Sequence, residues 1–238
     1  MFKNKMINKV RYLKYYAKVL LNNWTKNKSS YAQHGEDKLV ELLLPDGVSS
    51  FIDIGANDGV LFSNTYLFAK KGAKGVCIEP SLKTFRKLRL NHLCNSKVKC
   101  VYAAVSDFNG NIYIKEKGYE STLSTVSKFN SKGSKKVPCK TFDNILKEFP
   151  IFNTVDLLSI DVEGHEEEVL RGLNSNKFSA KIVVIESDKS EIEKLLSLVA
   201  LKDYLPICTN SINIILVHKE AVFNRPEKII DGFKYIKL

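Results

Sequence analysis

The stretch Phe51-Ile52-Asp53-Ile54-Gly55-Ala56-Asn57-Asp58-Gly59 decides the fold of this chain of 238 residues. It opens with an apolar run of strand length, and a glycine turn follows at once. In open α/β sheets such a turn lies at the carboxyl edge of a parallel strand, where ligands bind. The stretch therefore predicts the first strand and the ligand-binding turn of a doubly wound sheet.

Further apolar runs of strand length alternate with helical stretches from residue 38 onward, as βα units require. The predicted strands are 51–54, 75–78, 99–104, 155–160, 181–185 and 212–217. The predicted helices lie near 35–44, 63–71, 81–92, 141–148, 164–173 and 188–201. The pattern predicts one α/β domain over residues 31–238, with a Rossmann-like, doubly wound and mostly parallel sheet.

Residues 1–30 precede this domain and have a different pattern. Apolar residues recur every three or four positions, and residues 1–28 contain eight lysines and arginines and no acid. This pattern predicts a basic amphipathic helix. Such a helix either packs on the domain or lies on an anionic membrane surface.

A second exception is the segment 115–137, which is polar, rich in lysine and serine, and without steady period. These properties predict a long loop after the third strand. The loop either folds over the mouth of the site and helps to select the acceptor, or is a solvated excursion.

Charge and cysteine content narrow the function classes. The formal net charge is +11, and eight of the excess positive charges lie in residues 1–28, so we do not expect a nucleic-acid-binding face on the domain. The five cysteines form no CxxC pair, and no run of about 18 apolar residues is present. We therefore expect a cytoplasmic protein, with peripheral contact to the inner face of the membrane if residues 1–28 bind it.

The turn after the first strand indicates which cofactor binds. Gly55 and Gly59 allow the backbone to approach a ligand, but a dinucleotide site would have the spacing G-x-G-x-x-G. Asn57 and Asp58 fill the middle of the turn instead, and Asp53 adds negative charge. Carboxylates repel a pyrophosphate but attract the ammonium and sulfonium groups of S-adenosylmethionine. The turn therefore favours methyl transfer over hydride transfer.

Two later strand ends complete the predicted cofactor site. Glu79 ends the second strand, one βαβ step after Asp53, where a carboxylate accepts hydrogen bonds from ribose hydroxyls. Ser106 and Asp107 follow the third strand, and we expect one of them to make a polar contact beside the adenine. Asp107 also begins a sequence that is typical of a turn.

A cluster of ionisable residues after the fourth predicted strand suggests the reaction site. His165 is the candidate general base, and Asp161 and Glu163 either orient it, bind the acceptor or ligate a divalent cation. Asp161 and Glu186 form a candidate pair for Mg²⁺ or Mn²⁺. Alternatively, His165 only packs near a helix start, where the glutamates 166–168 favour the helix N-terminus.

These stretches resemble the FkbM family of methyltransferases over about residues 31–217. The resemblance is carried by residues 31–37, 51–59, 77–81, 103–107 and 160–166. It implies a class I methyltransferase fold, S-adenosylmethionine as the donor, and O-methylation of a hydroxyl, often on a sugar or a secondary metabolite. It also implies that Gln33 and Glu36 line the cofactor pocket. Ala32 stands where the family more usually has serine, which is a conservative difference.

The combined prediction is O-methylation of a sugar hydroxyl in a surface glycan or in its nucleotide-linked or lipid-linked precursor, with His165 as the base. One alternative is a methyltransferase for RNA or a secondary metabolite. The lack of clustered cations and stacking aromatics at the catalytic edge opposes RNA. A nicotinamide-dependent sugar enzyme is opposed by the glycine spacing. A binding protein with an inactive pocket is the remaining alternative.

Overall fold

The computed structural model describes residues 28–116, 124–127, 132–174, 176–187 and 192–236. The six helices in these ranges are α1 (Glu36–Leu43), α2 (Tyr66–Lys70), α3 (Leu82–Asn91), α4 (Phe142–Glu148), α5 (Glu166–Arg171) and α6 (Ile192–Leu196). Short 3-10 turns lie at Pro150–Phe152 and Val199–Leu201. The predicted basic helix falls on residues that are mostly outside the described ranges.

Within the residues that the structure describes, twelve strands form two sheets. The strands are β1 (Ser50–Ile54), β2 (Lys74–Ile78), β3 (Val98–Val101), β4 (Ala104–Ser106), β5 (Gly110–Glu116), β6 (Ser124–Ser127), β7 (Lys135–Thr141), β8 (Thr154–Ile160), β9 (Ser179–Glu186), β10 (Tyr204–Thr209), β11 (Asn213–His218) and β12 (Lys234–Tyr235). The main sheet has the order β12-β10-β11-β9-β8-β1-β2-β3. The five neighbouring strands β9, β8, β1, β2 and β3 run parallel to one another. At the other edge, β11 pairs antiparallel with β9, β10 with β11, and β12 with β10. The predicted α/β class with a mostly parallel sheet is confirmed.

Alternation along β1 explains why helices cover both faces of the sheet. Ile52 and Ile54 pack in one apolar core, which also contains buried side chains of α4 and α5. Phe51 points to the opposite face and packs in a second core with side chains of α1, α2 and α3. A strand that is buried on both faces is typical of parallel sheets. The arrangement is therefore doubly wound, and β1 lies near its centre.

The prediction of a loop over 115–137 is wrong for much of the described part. β5, β6 and β7 form an antiparallel arrangement, and β4 completes a second sheet of order β4-β7-β5-β6. Ile112, Ile114, Val137 and Cys139 alternate with exposed or half-exposed residues and form a small core on one face. Lys115, Lys135 and Lys136 are exposed on these strands, so a lysine-rich composition is compatible with a sheet that has one solvated face.

Two further strand predictions need correction. The predicted strand 99–104 is divided between the sheets, because β3 ends at Val101 and β4 begins at Ala104 and pairs with β7. β10 was not predicted, because Pro206 interrupts its apolar run; a register shift between Pro206 and Cys208 accommodates the proline. Within the described ranges, no helix has the length and apolar character needed to cross a membrane.

Candidate active site

A cleft opens at the carboxyl ends of β1, β2 and β8. Its empty volume is about 700 Å³, which includes open solvent at the mouth. Six of the predicted site residues line this cleft: Gly55, Asn57, Glu79, Asp161, Glu163 and His165. The other lining residues are mostly apolar: Ile54, Ile78, Pro80, Ala103, Ala104, Val105, Ile114 and Val162. The main sheet therefore brings these six residues to one edge, and the second sheet adds Ala104, Val105 and Ile114 to the cleft wall.

The turn after β1 is held by backbone contacts. Gly55 has a φ of +88°, and its amide donates to the Ile78 carbonyl at 3.0 Å. A Cβ on Gly55 would lie 1.7 Å from the Asp161 carbonyl oxygen. A Cβ on Gly59 would lie 2.5 Å from a methyl of Leu88 on α3. Both glycines thus permit close packing inside the protein, whereas the sequence suggested close approach to a ligand.

Glu79 connects this turn to the start of α3. One oxygen of its buried carboxylate accepts the backbone N–H of Asn57 at 3.1 Å, and the other accepts that of Ser81 at 2.7 Å. Asn57 has a φ of +50°, in the left-handed region that asparagine tolerates better than most residues. The carboxylate is therefore fixed in the cleft wall by two backbone amides.

Asp53 does not line the cleft. It alternates with the cleft-lining Ile54, so its side chain lies on the opposite face of β1, where it accepts a hydrogen bond from the Thr65 hydroxyl at 2.6 Å. Burial raises the pKa of the Asp53 carboxyl to about 6, although hydrogen bonds from Thr65 and Ser159 lower it in part. The structure thus places Asp53 outside the cleft, where its hydrogen bond from Thr65 ties the strand before the turn to the start of α2.

Three carboxylates come together at the ends of β8 and β9. Asp161, Glu163 and Glu186 each offer an oxygen within 4.8 Å of the others. Burial raises the pKa of Asp161 well above its ordinary value, and the neighbouring Glu186 raises it further. The same two causes raise the pKa of Glu163 to about 7. Such a cluster suits a bound cation, which would relieve the repulsion between its members.

Glu166 holds the backbone of the loop between β8 and α5 by hydrogen bonds. Its buried carboxylate accepts the backbone N–H groups of Val162 at 3.1 Å and Gly164 at 3.2 Å. Between them stands Glu163, with a φ of +57°. Glu166 therefore fixes the backbone that carries the cleft-lining Glu163, a more specific role than the helix N-terminus assigned to it from the sequence.

His165 is bound at both ring nitrogens. Nε2 lies 2.9 Å from the Ser106 hydroxyl, and Nδ1 lies 3.3 Å from a carboxylate oxygen of Glu168, three residues further along the chain. The side chain is 16% exposed and lines the cleft. The sequence placed Ser106 beside the adenine and assigned Glu168 to the helix N-terminus. The spacing of three residues on a helix is the signal that identifies Glu168 as a partner of His165.

The three remaining residues predicted for the cofactor pocket, Gln33, Glu36 and Asp107, fall outside the cleft lining. Gln33 is exposed, and Glu36 is buried at the start of α1, where it accepts hydrogen bonds from the amides of Asn210 at 3.0 Å and Asn213 at 2.7 Å. Glu36 therefore ties α1 to the turn between β10 and β11. Asp107 is exposed and accepts a hydrogen bond from the Ser106 hydroxyl at 3.2 Å.

Comparison with known proteins agrees with this geometry. Residues 53–209 match the family model described as the methyltransferase FkbM domain. No curated protein matches the chain in sequence. Among solved structures, the precorrin-6y C5,15-methyltransferase from Geobacter metallireducens is similar with a TM-score of 0.44 and 12% identity, over 82% of this chain and 93% of that chain. A methyltransferase from Geobacter sulfurreducens has a TM-score of 0.45 and 12% identity, over 87% and 88%.

Proposed function

Because the chain belongs to the FkbM methyltransferase family, for which S-adenosylmethionine is the methyl donor, we propose that it methylates a hydroxyl of a sugar in a surface glycan or in a nucleotide-linked or lipid-linked precursor. The observation that carries this proposal is the cleft in which Glu79, the carboxylate cluster and His165 meet. Each of these groups matches one chemical requirement of the reaction.

The residues of the cleft fit S-adenosylmethionine, which when bound supplies an electrophilic methyl group on a sulfonium. Ile78, Ala103, Val105 and Ile114 offer an apolar wall for adenine. Glu79 offers carboxylate lone pairs for ribose hydroxyls. The acidic groups in the cleft favour the positive charges of the methionine part and oppose a pyrophosphate, so the nicotinamide alternative fits poorly.

His165 has the arrangement of a general base. A carboxylate only accepts hydrogen bonds, so Glu168 selects the ring form that carries its proton on Nδ1. The lone pair of the neutral ring then lies on Nε2, which accepts from the Ser106 hydroxyl when that hydroxyl turns away from Asp107. An acceptor hydroxyl in the cleft would have to replace Ser106 at Nε2, by a rotation of the His165 ring, before it can give up its proton there and become the nucleophile. Ser106 is fully buried, so it orients His165 and does not itself attack a substrate.

The charge of the cleft supports a sugar acceptor over RNA. The charged side chains among the cleft-lining residues are Glu79, Asp161 and Glu163, all of them acidic. Carboxylates accept hydrogen bonds from sugar hydroxyls and repel phosphates, so a nucleotide-linked or lipid-linked acceptor would enter by its sugar end, whereas RNA carries a phosphate beside every ribose. A screen of nucleotide sugars, lipid-linked sugars, phenolic metabolites and RNA with labelled methyl donor tests this choice. Methylation of RNA alone would refute the sugar proposal.

Cofactor binding provides a test that needs no acceptor. Replacing Glu79 by alanine should weaken S-adenosylhomocysteine binding about 10- to 100-fold, because charged hydrogen bonds contribute about 1.5–3 kcal/mol each. Isothermal titration calorimetry measures the affinity. Glu220→Ala, which removes an exposed glutamate, is the matched control and should bind like the wild type. Equal affinity in both variants would contradict the role of Glu79, and no binding by the wild type would refute the cofactor site.

We also propose that Asp161 and Glu186, with Glu163 beside them, hold Mg²⁺ or Mn²⁺. Hard oxygen ligands suit these ions. Mn²⁺ titration followed by electron paramagnetic resonance should show one site, which the variant Asp161→Asn/Glu186→Gln loses. The matched control is Asp231→Asn/Glu220→Gln, which removes two exposed acids. Full activity in chelator, together with no Mn²⁺ bound, would refute the metal proposal.

A further inference from the structure

Positive charge is concentrated in a second part of the chain besides residues 1–28. Residues 70–99 contain nine lysines and arginines and one acid, Glu79, which is buried. The positive charge of the folded domain is therefore concentrated in residues 70–99, because the residues outside these two segments are net acidic. Residues 70–99 run from the end of α2 through β2 and α3 to β3, the outermost strand at that edge of the main sheet.

The outward side of α3 combines this charge with exposed leucines. Thr84 and Leu88 are buried and face the domain. At 100° per residue, Leu82, Arg86 and Arg89 fall within an arc of about 60° on the other side, Leu90 lies beside them, and Leu93 follows in the turn after the helix end. We call these five residues the α3 face. Its leucines are 39% (Leu82), 38% (Leu90) and 72% (Leu93) exposed.

The two arginines of the α3 face are available to a partner. Both are exposed, and within the ranges that the structure describes neither forms an ion pair with an acid. Leucines placed between such arginines would gain from burial and the arginines from a negative counterpart. The face therefore matches a partner whose surface carries negative charge and whose interior, a few ångströms below that surface, is apolar.

Other occupants fit this face less well. A second copy of the chain, related by a two-fold axis, would bring Arg86 and Arg89 against their own equivalents. Residues 1–28 carry charge of the same sign. Nucleic acid would favour aromatic side chains for stacking, and the α3 face has leucines in their place. An anionic lipid surface satisfies both requirements, because leucines enter the boundary between headgroups and acyl chains while arginines meet phosphates.

We propose that the α3 face docks this protein on anionic phospholipid bilayers. Each basic residue near such a surface adds favourable electrostatic energy, and the apolar side chains add burial. α3 begins directly after Glu79 and Pro80, which line the cleft, so the docked surface lies next to the cleft. This inference does not depend on which acceptor is methylated.

Vesicle sedimentation of the full chain tests the proposal. The wild type should bind vesicles that contain phosphatidylglycerol and not those of phosphatidylcholine alone, with binding that falls as salt rises. Arg86→Gln/Arg89→Gln and Leu90→Ser/Leu93→Ser should each reduce binding about tenfold or more. The matched controls Lys177→Gln/Lys228→Gln and Val222→Ser, which alter exposed residues elsewhere, should bind like the wild type.

Two results would overturn this inference. The first is wild-type binding in both α3 variants, which would assign attachment to another part of the chain. The second is no binding of the wild type to anionic vesicles. If an oligonucleotide then binds through the same arginines, the partner of the α3 face is a nucleic acid and not a bilayer. Thermal unfolding of each variant should match the wild type, because the substituted side chains are exposed.

Discussion

Replacing His165 by alanine should lower turnover by about 10²–10⁴-fold, the usual contribution of a positioned general base. The expected loss follows from the lone pair on Nε2, which Glu168 and Ser106 hold in place at the cleft wall. Methyl transfer to the acceptor, measured with saturating cofactor, gives the rate. Calorimetry should show S-adenosylhomocysteine affinity close to that of the wild type, because the proposed cofactor contacts of Glu79 and the apolar wall remain.

The control for this substitution is His34→Ala. His34 is exposed and lies outside the cleft lining, so its loss should leave the rate nearly unchanged. Full turnover in His165→Ala would refute the base role. A parallel loss of cofactor affinity and rate would instead indicate that His165 supports the pocket.

Replacing Gly55 by alanine should lower the free energy of unfolding by about 4 kcal/mol or more, in the range that marks severe single substitutions. The new Cβ would lie 1.7 Å from the Asp161 carbonyl oxygen. Because this oxygen is a backbone atom, no side-chain rotation can relieve the clash. The φ of +88° adds strain of its own. Either β1 or the end of β8 must then move, and the cleft between them loses its shape. Urea denaturation measures the change.

Gly47→Ala separates the clash from the backbone strain. Gly47 has a φ of +73°, but a Cβ there has no neighbour within 4 Å. Its substitution should therefore cost only about 1 kcal/mol, the penalty of the left-handed conformation. Equal destabilisation in the two variants would show that the contact with Asp161 is relieved at little cost.

The parts of the fold that the sequence predicts best are those in which pattern and packing agree. The continuous apolar run before Gly55 and its counterparts in β2, β8 and β9 are buried on both faces, so their composition alone identifies them. The second sheet escaped prediction because its core is small and its described strands carry exposed lysines, among them Lys115 and Lys136. Strand pairing between β4 and β7 also joins residues that are distant in sequence.

Site residues divide in a similar way. Glu79 and Asp161 follow strands directly, and His165 ends the loop after β8, so the meeting of parallel strand ends places them in one cleft. The contact of Ser106 with His165 depends on a strand that pairs in the second sheet, which local pattern does not reveal. Asp53 could have been assigned to the far face of β1, because side chains alternate along a strand and Ile54 faces the cleft.

The two hydrogen bonds of Glu79 join the cofactor turn to α3 as one mechanical unit. Ser81, whose amide donates one of them, stands at the N-cap position of α3. A ligand that orders the Glu79 carboxylate therefore orders the first turn of α3, and contact that restrains α3 restrains the carboxylate. Thermodynamic linkage makes such coupling symmetric. Docking on a bilayer and occupancy of the cleft would then each strengthen the other by the same factor, so the protein would bind its cofactor most tightly where it is anchored.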